Sequence, residues 1–406
     1  MKKVLYLSYD GMTDPLGQSQ VIPYLQGLSK LGYRFTLISF EKKDRFQKNG
    51  EYINSILKSS EIQWHPLFFS VRPPLLSKLY DVWKMHRQAE RLHRKENFSF
   101  LHCRSYVSAG TGMALFKKYK VPFLFDMRGL WVDERVDSGQ WKLSNPLYKL
   151  LFKIYKAKEK RYFKTARHII SLTFKGKDEL IHSYNVPAEK ISVIPCCVDL
   201  LHFDYNKIPA EKIDEKRRLL GIEENEKVIT YLGSLGGWYL LDEMLCFFSH
   251  MKKKIPSLKF LFITHDKPSL IFNAARKQNI SSDEIIVSPA SRQEVPSFLA
   301  VSDWNIFFIK NGYSKKASSP TKQGEVMAMG IPIICNDVGD TGKIIEESNT
   351  GFVVEALSAD KFDKIINAKD FQQKKERQYI RNAAFTYYDL EVGIKKYGAV
   401  YLRWFK

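Results

Sequence analysis

Short apolar runs recur along the chain and alternate with longer segments of helical periodicity. The first group of runs is VLYLS (4–8), FTLISF (35–40), FLHC (100–103), PFLFD (122–126), HIISL (168–172) and ISVIP (191–195). The second group is VITYLG (228–233), FLFIT (260–264), IIVSP (285–289), WNIFFI (304–309) and IPIICN (331–336). Near-continuous apolar strands separated by helices are typical of parallel sheets covered on both faces. The pattern predicts an α/β fold.

A charged segment, KIPAEKIDEKRRLLGIEENEK (207–227), separates the two groups. The chain has 406 residues, more than a single hydrophobic core usually organises. We therefore predict two Rossmann-like domains, one over residues 1–200 and one over residues 201–386.

The composition narrows the class of partner. The formal net charge is +20, from 64 basic and 44 acidic residues, which favours anionic partners such as nucleotides or phospholipid surfaces. Nucleic acid is not expected, because no zinc-finger spacing, basic zipper or RNP-like pattern accompanies the charge. The five cysteines lack metal-ligand spacing, so we expect reduced cysteines in a cytoplasmic protein and no bound metal. No run is long enough for a signal-peptide core or a membrane span.

Ligands of open parallel sheets bind beyond the carboxyl ends of the strands, so the loops after the strands are the candidate sites. Gly17 and Gln18 follow the first strand where we predict a helix start, and Gly233 and Ser234 follow the first strand of the second group. Backbone N–H groups in such positions favour phosphate. The same glycines also suit a tight turn without a ligand. Neither stretch has the G-x-G-x-x-G spacing of nicotinamide-binding domains.

The segment SSPTKQGEVMAMGIPIICN (318–336) predicts a helix start that leads into a buried strand. Backbone N–H groups near Ser319 and Thr321 are placed to hold a diphosphate, which Lys322 would neutralise. Glu325 lies three residues later on nearly the same helical face, where its carboxylate can accept hydrogen bonds from a ribose diol. The alternative is an ordinary carboxylate in the first turns of a helix.

Charged residues also follow two strands of the first group. His102 and Arg104 lie at the end of one strand, and Asp126 and Arg128 at the end of the next. We interpret them as candidate catalytic residues, because the arginines can oppose the charge of a phosphate. A solvated loop with internal ion pairs, and a core histidine at position 102, are the alternatives.

A basic stripe is predicted on one helix of the first domain. Its lysines recur at steps of four and three: Lys149, Lys153, Lys156, Lys160 and Lys164. Leu147, Leu151 and Tyr155 are apolar neighbours of the stripe. This pattern suits an anionic membrane surface, where each basic residue adds about 1 kcal/mol. It also suits a helix that only packs on the sheet.

Several blocks resemble the GT-B glycosyltransferases of family 4, the group 1 transferases. They are YDGMTDPLGQSQVIPYLQGLSKLGY, VIPCCVDLLHF, YLGSLGG, and SPTKQGEVMAMGIPIICNDVGD followed by GFVVE. The resemblance covers nearly the whole chain and implies GT-B architecture: two Rossmann-like domains with parallel sheets that face a central cleft. It also implies that the terminal helix, within 387–406, crosses back to the N-terminal domain.

By this resemblance, the chain is a nucleotide-sugar-dependent hexosyltransferase that acts with retention and without a bound metal. The N-terminal domain binds the acceptor, expected to be lipid-linked or a growing surface polysaccharide, and the C-terminal domain binds the nucleoside diphosphate sugar. Lys322 and the N–H groups near Thr321 would face the diphosphate, and Glu325 the ribose. We expect action in the cytoplasm, on the inner face of the cell membrane.

Two positions depart from the family pattern. The residue eight before Glu325 is Ala317, where the family commonly has a glutamate that contacts the donor sugar. The second histidine of a histidine-x-histidine pair is Arg104, with His102 in the first place. The identity of the hexose therefore does not carry over. A sugar-nucleotide epimerase of the same fold, and a non-catalytic sugar-nucleotide-binding subunit, remain alternatives.

Overall fold

The computed structural model describes residues 2–71, 73–369, 371, 373 and 375–405. The chain divides into two compact units. The first unit contains Met1–Cys196, Tyr313–Ser318 and Leu390–Lys406, and the second contains Cys197–Gly312 and Ser319–Asp389. The chain thus passes between the units at Cys196 and Cys197, and the charged segment predicted to join two domains lies inside the second unit.

Within the described part of the first unit, seven parallel strands form one sheet in the order β3-β2-β1-β4-β5-β6-β7. The strands are β1 (Lys2–Ser8), β2 (Tyr33–Glu41), β3 (Gln63–Phe68), β4 (Phe100–Arg104), β5 (Phe123–Asp126), β6 (His168–Ser171) and β7 (Ile191–Val193). The helices of this part of the chain are α1 (Pro15–Gln20), α2 (Ile22–Lys30), α3 (Lys43–Ser59), α4 (Pro74–Glu96), α5 (Ser105–Tyr119), α6 (Trp131–Asp137), α7 (Pro146–Thr165) and α8 (Phe174–Tyr184).

Within the described part of the second unit, six parallel strands form a sheet in the order β10-β9-β8-β11-β12-β13. The strands are β8 (Lys227–Leu232), β9 (Leu258–Ile263), β10 (Ile285–Ser288), β11 (Trp304–Phe307), β12 (Ile333–Asn336) and β13 (Gly351–Val354). The helices are α9 (Ala210–Leu219), α10 (Leu241–Lys254), α11 (Pro268–Lys277), α12 (Val295–Ala300), α13 (Thr321–Ala328), α14 (Thr341–Ser348), α15 (Ala359–Ile366) and α16 (Arg377–Tyr388). The last helix of the chain, α17 (Leu390–Trp404), belongs to the first unit.

Every apolar run identified in the sequence coincides with a strand, which confirms the α/β fold with two parallel sheets. Strand β3 was missed because QWHPLF contains a proline and a polar start. Proline is tolerated there because β3 lies at the edge of the sheet. The helix start predicted at Gly17 and Gln18 lies earlier, at Pro15, and two helices, α1 and α2, meet at Val21.

The terminal helix α17 packs against α2 in the first unit, as the family resemblance predicted. Tyr401 is fully buried, and its ring makes edge contacts with Tyr33 and Phe100 at centroid distances of 5.0 and 4.8 Å. A side chain on Gly27 of α2 would meet Ile394 of α17, since a Cβ there would lie 2.3 Å from Ile394 Cδ1. The end of the chain is therefore part of the first hydrophobic core.

We expect Tyr401→Ala to destabilise the protein by about 3–5 kcal/mol, because it leaves a large cavity beside two aromatic rings. Leu402→Ala is the matched control on the same helix: Leu402 is 67% exposed, and its loss should change stability by about 0.5 kcal/mol or less. Urea unfolding monitored by circular dichroism measures both. Equal effects of the two variants would contradict the assignment of α17 to the first core.

Candidate functional site

A glycine turn follows strand β8 at the carboxyl edge of the second sheet. Gly233 has φ +102° and Gly236 has φ +50°, a backbone region that favours glycine. A Cβ on Gly233 would lie 3.5 Å from the Nζ atom of Lys322. The turn therefore brings open backbone close to the lysine of helix α13.

The side-chain amine of Lys322 is buried against two aromatic rings. Its Nζ donates a hydrogen bond to Tyr231 Oη at 2.9 Å and lies 4.0 Å from the centroid of the Tyr231 ring. The Tyr239 ring centroid is closer still, at 3.5 Å. Such contacts favour the charged form of a lysine.

No carboxylate of the described residues forms an ion pair with Lys322 within 4.0 Å. Burial lowers the pKa of Lys322 well below its usual value, and the charges of Glu325 and Asp266 oppose this only in part. A buried cation without a paired anion is costly. An anionic ligand beside Lys322 would remove that cost.

Glu325 lies one helical turn further along α13 and is held by Arg292. The Arg292 Nη1 atom lies 3.5 Å from Glu325 Oε1. Burial raises the pKa of the Glu325 carboxyl, and the Arg292 and Lys322 charges act in the opposite direction. Arg292 was missed in the sequence, although it follows strand β10 as the strand-end rule requires.

The N-cap residue of α13 is Pro320, which makes no side-chain hydrogen bond to the helix start. Thr321 is the first helical residue, and the N–H group of Gln323 donates to Pro320 O at 3.1 Å. The N–H groups of Thr321 and Lys322 lie at this helix start beside the Lys322 side chain, an arrangement that suits an anion. Ser319 is half-buried beside this helix start.

A second cluster lies at the carboxyl edge of the first sheet. Strands β1, β4 and β5 are neighbours, and Arg104 is the register partner of both Ser8 and Asp126. His102 lies two residues before Arg104 on β4. The parallel register therefore brings together the polar residues that the sequence placed at two separate strand ends.

Asp126 is the centre of this cluster. Its Oδ2 atom accepts a hydrogen bond from Tyr397 at 3.2 Å and lies 3.4 Å from His102 Nε2. Arg128 Nη1 is 3.7 Å from Asp126 Oδ1, and Arg104 Nη1 is 3.8 Å from Oδ2. Burial would raise the pKa of Asp126, but Arg128 and His102 outweigh it and set the pKa at about 2. The carboxylate is therefore ionised at neutral pH.

His102 is held by the terminal helix as well as by Asp126. Its Nδ1 atom lies 2.5 Å from Tyr401 Oη. Burial lowers the pKa of His102 despite the Asp126 charge, which favours the neutral ring at pH 7. His102 is therefore a buried residue of the polar cluster, and its catalytic role stays a prediction.

Two buried atoms of the cluster make no hydrogen bond among the described residues: Arg104 Nη1 and Asp126 Oδ1. The Nε atom of Arg104 donates to Asp10, whose side chain is 42% exposed. Ser105 and Arg128 have φ values of +67° and +61°, which are strained for residues other than glycine. Unbonded polar atoms and backbone strain at one sheet edge are typical of a ligand site.

Comparison with known proteins identifies the family. Residues 20–201 match the model of Glycosyltransferase Family 4, and residues 212–385 match the model of Glycosyl transferases group 1. The chain belongs to the family 4, group 1 glycosyltransferases of the GT-B fold. It is a glycosyltransferase.

Relatives and solved structures agree with this family. The Escherichia coli UDP-Gal:alpha-D-GlcNAc-diphosphoundecaprenol alpha-1,3-galactosyltransferase is 24% identical over 373 residues, 86% of this chain and 88% of its own. A glycosyltransferase structure from Rickettsia africae covers 100% of this chain and 99% of its own, with TM-score 0.69 and 16% identity. The Anabaena HepE structure, in complex with UDP and glucose, covers 99% of this chain and 100% of its own, with TM-score 0.70 and 13% identity. At these identities, the two structures show the shared fold alone.

Three of the predicted binding residues of this glycosyltransferase are held by local contacts. Gly17 is the third residue of α1, not its start, and a Cβ there would lie 2.2 Å from Gly11 O. Gln18 Nε2 donates to Thr13 O at 3.2 Å. Ser234 Oγ donates to Asp266 at 3.0 Å. These contacts order the loops after β1 and β8.

Ala317 has a packing explanation in this transferase. It belongs to a short 3₁₀ segment, Tyr313–Ala317, that lies in the first unit. Ala317 is fully buried in the first core, and a Cβ on Gly176 would lie 3.0 Å from the Ala317 Cβ. A larger side chain at this position would have to displace buried neighbours.

The neighbours of Ala317 are fixed by ion pairs and hydrogen bonds. Lys316 pairs with Glu179 at 2.7 Å, and Lys315 pairs with Glu134 at 3.0 Å. Tyr313 donates to the same Glu179 at 2.6 Å. The short segment is therefore attached to α6 and α8.

The basic stripe predicted on α7 needs one correction. Lys156 does not face solvent: it forms ion pairs with Asp133 at 2.8 Å and with Glu159 at 2.5 Å. It turns inward because Glu159 is fully buried and needs a cation. The other lysines of the stripe, Lys149, Lys153, Lys160 and Lys164, are exposed.

Two kinds of site are not found in the described part of the transferase. Its described residues contain no group of three or more His, Cys, Asp or Glu side chains that could hold a metal ion. Of the helices described, none is both long enough and apolar enough to cross a membrane.

We expect Lys322→Met to be at least as stable as the parent protein without ligand, because it removes a buried amine that has no paired carboxylate and whose burial disfavours its charged form. Between the lowered folded-state pKa of Lys322 and its unfolded value of about 10.4, the unfolded chain binds one more proton than the folded chain. The free energy of unfolding of the parent should therefore rise with pH in this window, and that of the variant should rise less.

Urea unfolding at pH 7 and pH 9 measures this difference. Lys343→Met, at a lysine whose side chain is 58% exposed, is the matched control and should follow the parent. A Lys322→Met protein that loses about 2 kcal/mol and keeps the pH dependence of the parent would contradict the unpaired cation.

Proposed function

We propose that this glycosyltransferase moves a sugar from a nucleoside diphosphate sugar to a lipid-linked saccharide acceptor, with retention at the anomeric carbon. The observation that carries the proposal is Lys322: a buried amine beside a glycine turn and the start of α13, with no carboxylate partner within ion-pair distance among the described residues. A diphosphate supplies the missing negative charge and accepts hydrogen bonds from the N–H groups of the helix start.

The pair Glu325–Arg292 suits the ribose of the donor. Arg292 holds the carboxylate on one side at 3.5 Å. The remaining lone pairs of Glu325 can accept hydrogen bonds from the two hydroxyls of a ribose diol. In this arrangement the diphosphate of the donor binds at the first turn of α13, and the ribose binds one turn later.

The cluster around Asp126 suits the acceptor. Arg104 Nη1 offers an unused hydrogen-bond donor and Asp126 Oδ1 an unused acceptor. A sugar hydroxyl and a neighbouring phosphate would satisfy both. Arg104 and Arg128 bring two cations, so a diphosphate-linked acceptor fits better than a neutral one.

The chemistry then needs no enzyme nucleophile. The bond between the anomeric carbon and the donor phosphate breaks, the acceptor oxygen bonds to the anomeric carbon on the same face, and its proton passes to the leaving phosphate oxygen. The task of the protein is to stabilise the negative charge that develops on that phosphate. Lys322 and the N–H groups at the start of α13 do this, and we propose that no metal ion is required.

The acceptor class is supported by a relative. The Escherichia coli galactosyltransferase is named for an undecaprenol-linked diphosphate sugar acceptor. We propose an acceptor of the same kind, and action at the inner face of the cell membrane. Arg104 and Ala317 do not argue for loss of activity, since the first lies in the polar cluster and the second fills a core.

Lys322→Ala should weaken binding of a nucleoside diphosphate by about 1.5–3 kcal/mol, the range for a hydrogen bond to a charged group. Glu325→Ala should weaken binding of the nucleoside as well, because ribose is common to both ligands. Isothermal titration calorimetry with UDP and uridine separates the two effects. Lys343→Ala is the exposed control. Unchanged affinities in both variants would place the nucleotide elsewhere.

Incubation with labelled nucleotide sugars and a bacterial lipid extract tests the reaction. We expect label to move into the lipid fraction, chelators to leave the rate unchanged, and the anomeric configuration of the product to equal that of the donor by NMR. Conversion of the free donor without an acceptor would indicate an epimerase. Binding without turnover of any donor would indicate a non-catalytic subunit.

A further inference from the structure

The loops that follow β8 and β9 lie side by side in the second unit. Leu232 and Ile263 are register partners at the ends of these parallel strands, and the N–H group of Gly233 donates to Ile263 O at 2.9 Å. Asp266 follows three residues after Ile263. The parallel register therefore brings the Asp266 carboxylate to the glycine turn of the proposed donor site.

The Asp266 side chain holds the first half of that turn. Its Oδ2 atom accepts a hydrogen bond from the Leu235 N–H group at 2.6 Å, and its Oδ1 atom accepts one from Ser234 Oγ at 3.0 Å. The N–H group of Asp266 donates to Thr264 Oγ1 at 3.0 Å, which fixes the loop that carries the carboxylate. Tyr231 Oη donates to Ser234 O at 2.8 Å. Ser234 is thus held both at its side chain and at its carbonyl.

The second half of the turn is open. The N–H groups of Gly236 and Gly237 donate to no described residue, and a Cβ atom on either glycine would lie in open space. Gly236 has φ +50°, and turns of this kind can form anion-binding concavities from successive N–H groups. The turn therefore has unused donors directly after the two residues that Asp266 holds.

Asp266 forms no ion pair within 4.0 Å with a lysine or arginine of the described residues. Its charge acts on Lys322 instead: burial lowers the pKa of Lys322, and the charges of Glu325 and Asp266 act in the opposite direction. A carboxylate beside a phosphate site also repels the ligand. The position of Asp266 is explained if the order that it gives to the turn outweighs this repulsion.

We propose that Asp266 is a positioning residue of the donor site: it fixes Ser234 and Leu235, so that the N–H groups of Gly236 and Gly237 are held ready for the donor phosphates. The inference rests on the proposed function for the identity of the ligand, but the ordering of the turn is a property of the ligand-free protein. Donors that are already ordered bind an anion more tightly, because the entropy of ordering them is not lost on binding. Asp266 acts through the turn, without itself contacting the ligand.

Hydrogen exchange measured by mass spectrometry tests the ordering without any ligand. In Asp266→Ala, we expect the amides of residues 233–238 to exchange ~10-fold faster than in the parent, because both hydrogen bonds to the carboxylate are lost. Asp266→Asn should exchange like the parent. Its amide oxygen can accept from the Leu235 N–H group, and its amide nitrogen can donate to Ser234 Oγ.

Asp283→Ala is the matched control in the same unit. Asp283 is exposed and also accepts a hydrogen bond from a serine hydroxyl, that of Ser281, but it lies before β10 and not after a strand. Its loss should leave the exchange of residues 233–238 unchanged.

Calorimetry with UDP tests the link to the ligand. We expect Asp266→Ala to bind UDP ~10-fold more weakly than the parent, because the turn must then be ordered on binding. Asp266→Asn should recover most of this loss, and Asp283→Ala should bind UDP like the parent. Recovery by the asparagine variant separates the positioning of the turn from general damage to the second unit.

The charge of Asp266 gives a second readout that a merely structural role would not change. The groups that face Lys322 are Tyr231 on β8, Tyr239 in the loop after β8, Glu325 on α13 and Asp266 after β9. As the pH rises, Lys322 loses its proton and the affinity for UDP falls. In Asp266→Asn this fall should begin at a lower pH than in the parent, because one of the two charges that favour the protonated lysine is gone.

Three results would overturn the proposal. The first is equal exchange of residues 233–238 in the parent and Asp266→Ala, and the second is equal UDP affinity of these two proteins. The third is an asparagine variant that exchanges as fast as the alanine variant. A parent that binds neither UDP nor GDP, with fast exchange in Asp266→Ala alone, would instead overturn the proposed donor site, and the ordering of the turn by Asp266 would stand.

Discussion

The second unit depends on one buried side chain without a paired anion. Lys322 lies against the rings of Tyr231 and Tyr239 without an ion-paired carboxylate among the described residues. The glycine turn after β8, the start of α13 and the Glu325–Arg292 pair surround it. None of these features by itself indicates a ligand. Around the diphosphate that we propose, they complement one another, because the anion offsets the cost of the unpaired lysine.

The first unit has the opposite arrangement, a carboxylate surrounded by basic side chains. Asp126 stays ionised between Arg128, His102 and Arg104, and the terminal helix contributes Tyr397 to the same oxygen. The last helix of the chain is thus a structural part of this cluster. The parallel register of β4 and β5, which places Arg104 opposite Asp126, brings His102, Arg104 and Asp126 to one edge of the sheet.

The sequence predicted the strands well because a strand buried on both faces has few polar residues. It brought Arg104 and Asp126 together because parallel strands put their carboxyl ends at one edge, and it indicated Lys322 and Glu325 from the residues typical of a helix start. The roles of these four residues stay predictions. It did not predict Arg292, because the loop after β10 has neither a glycine nor the residues typical of a helix start. It also did not predict that Lys156 turns inward, because that depends on the buried carboxylate of Glu159. Periodicity also could not separate the two faces of α4, since both are apolar and only packing decides which one is covered.

The placement of Tyr313–Ala317 has a consequence for engineering. This segment lies late in the chain, between strand β11 and helix α13, yet its tyrosine, lysines and alanine are fixed by α6, α8 and the first core. Domain boundaries drawn as simple sequence intervals would cut through it. A chimera that borrows the nucleotide-binding half of a relative should therefore keep residues 313–318 and 390–406 from the same parent as residues 1–196. A chimera that exchanges the second unit therefore needs four junctions along the chain, at 196/197, 312/313, 318/319 and 389/390, and not one.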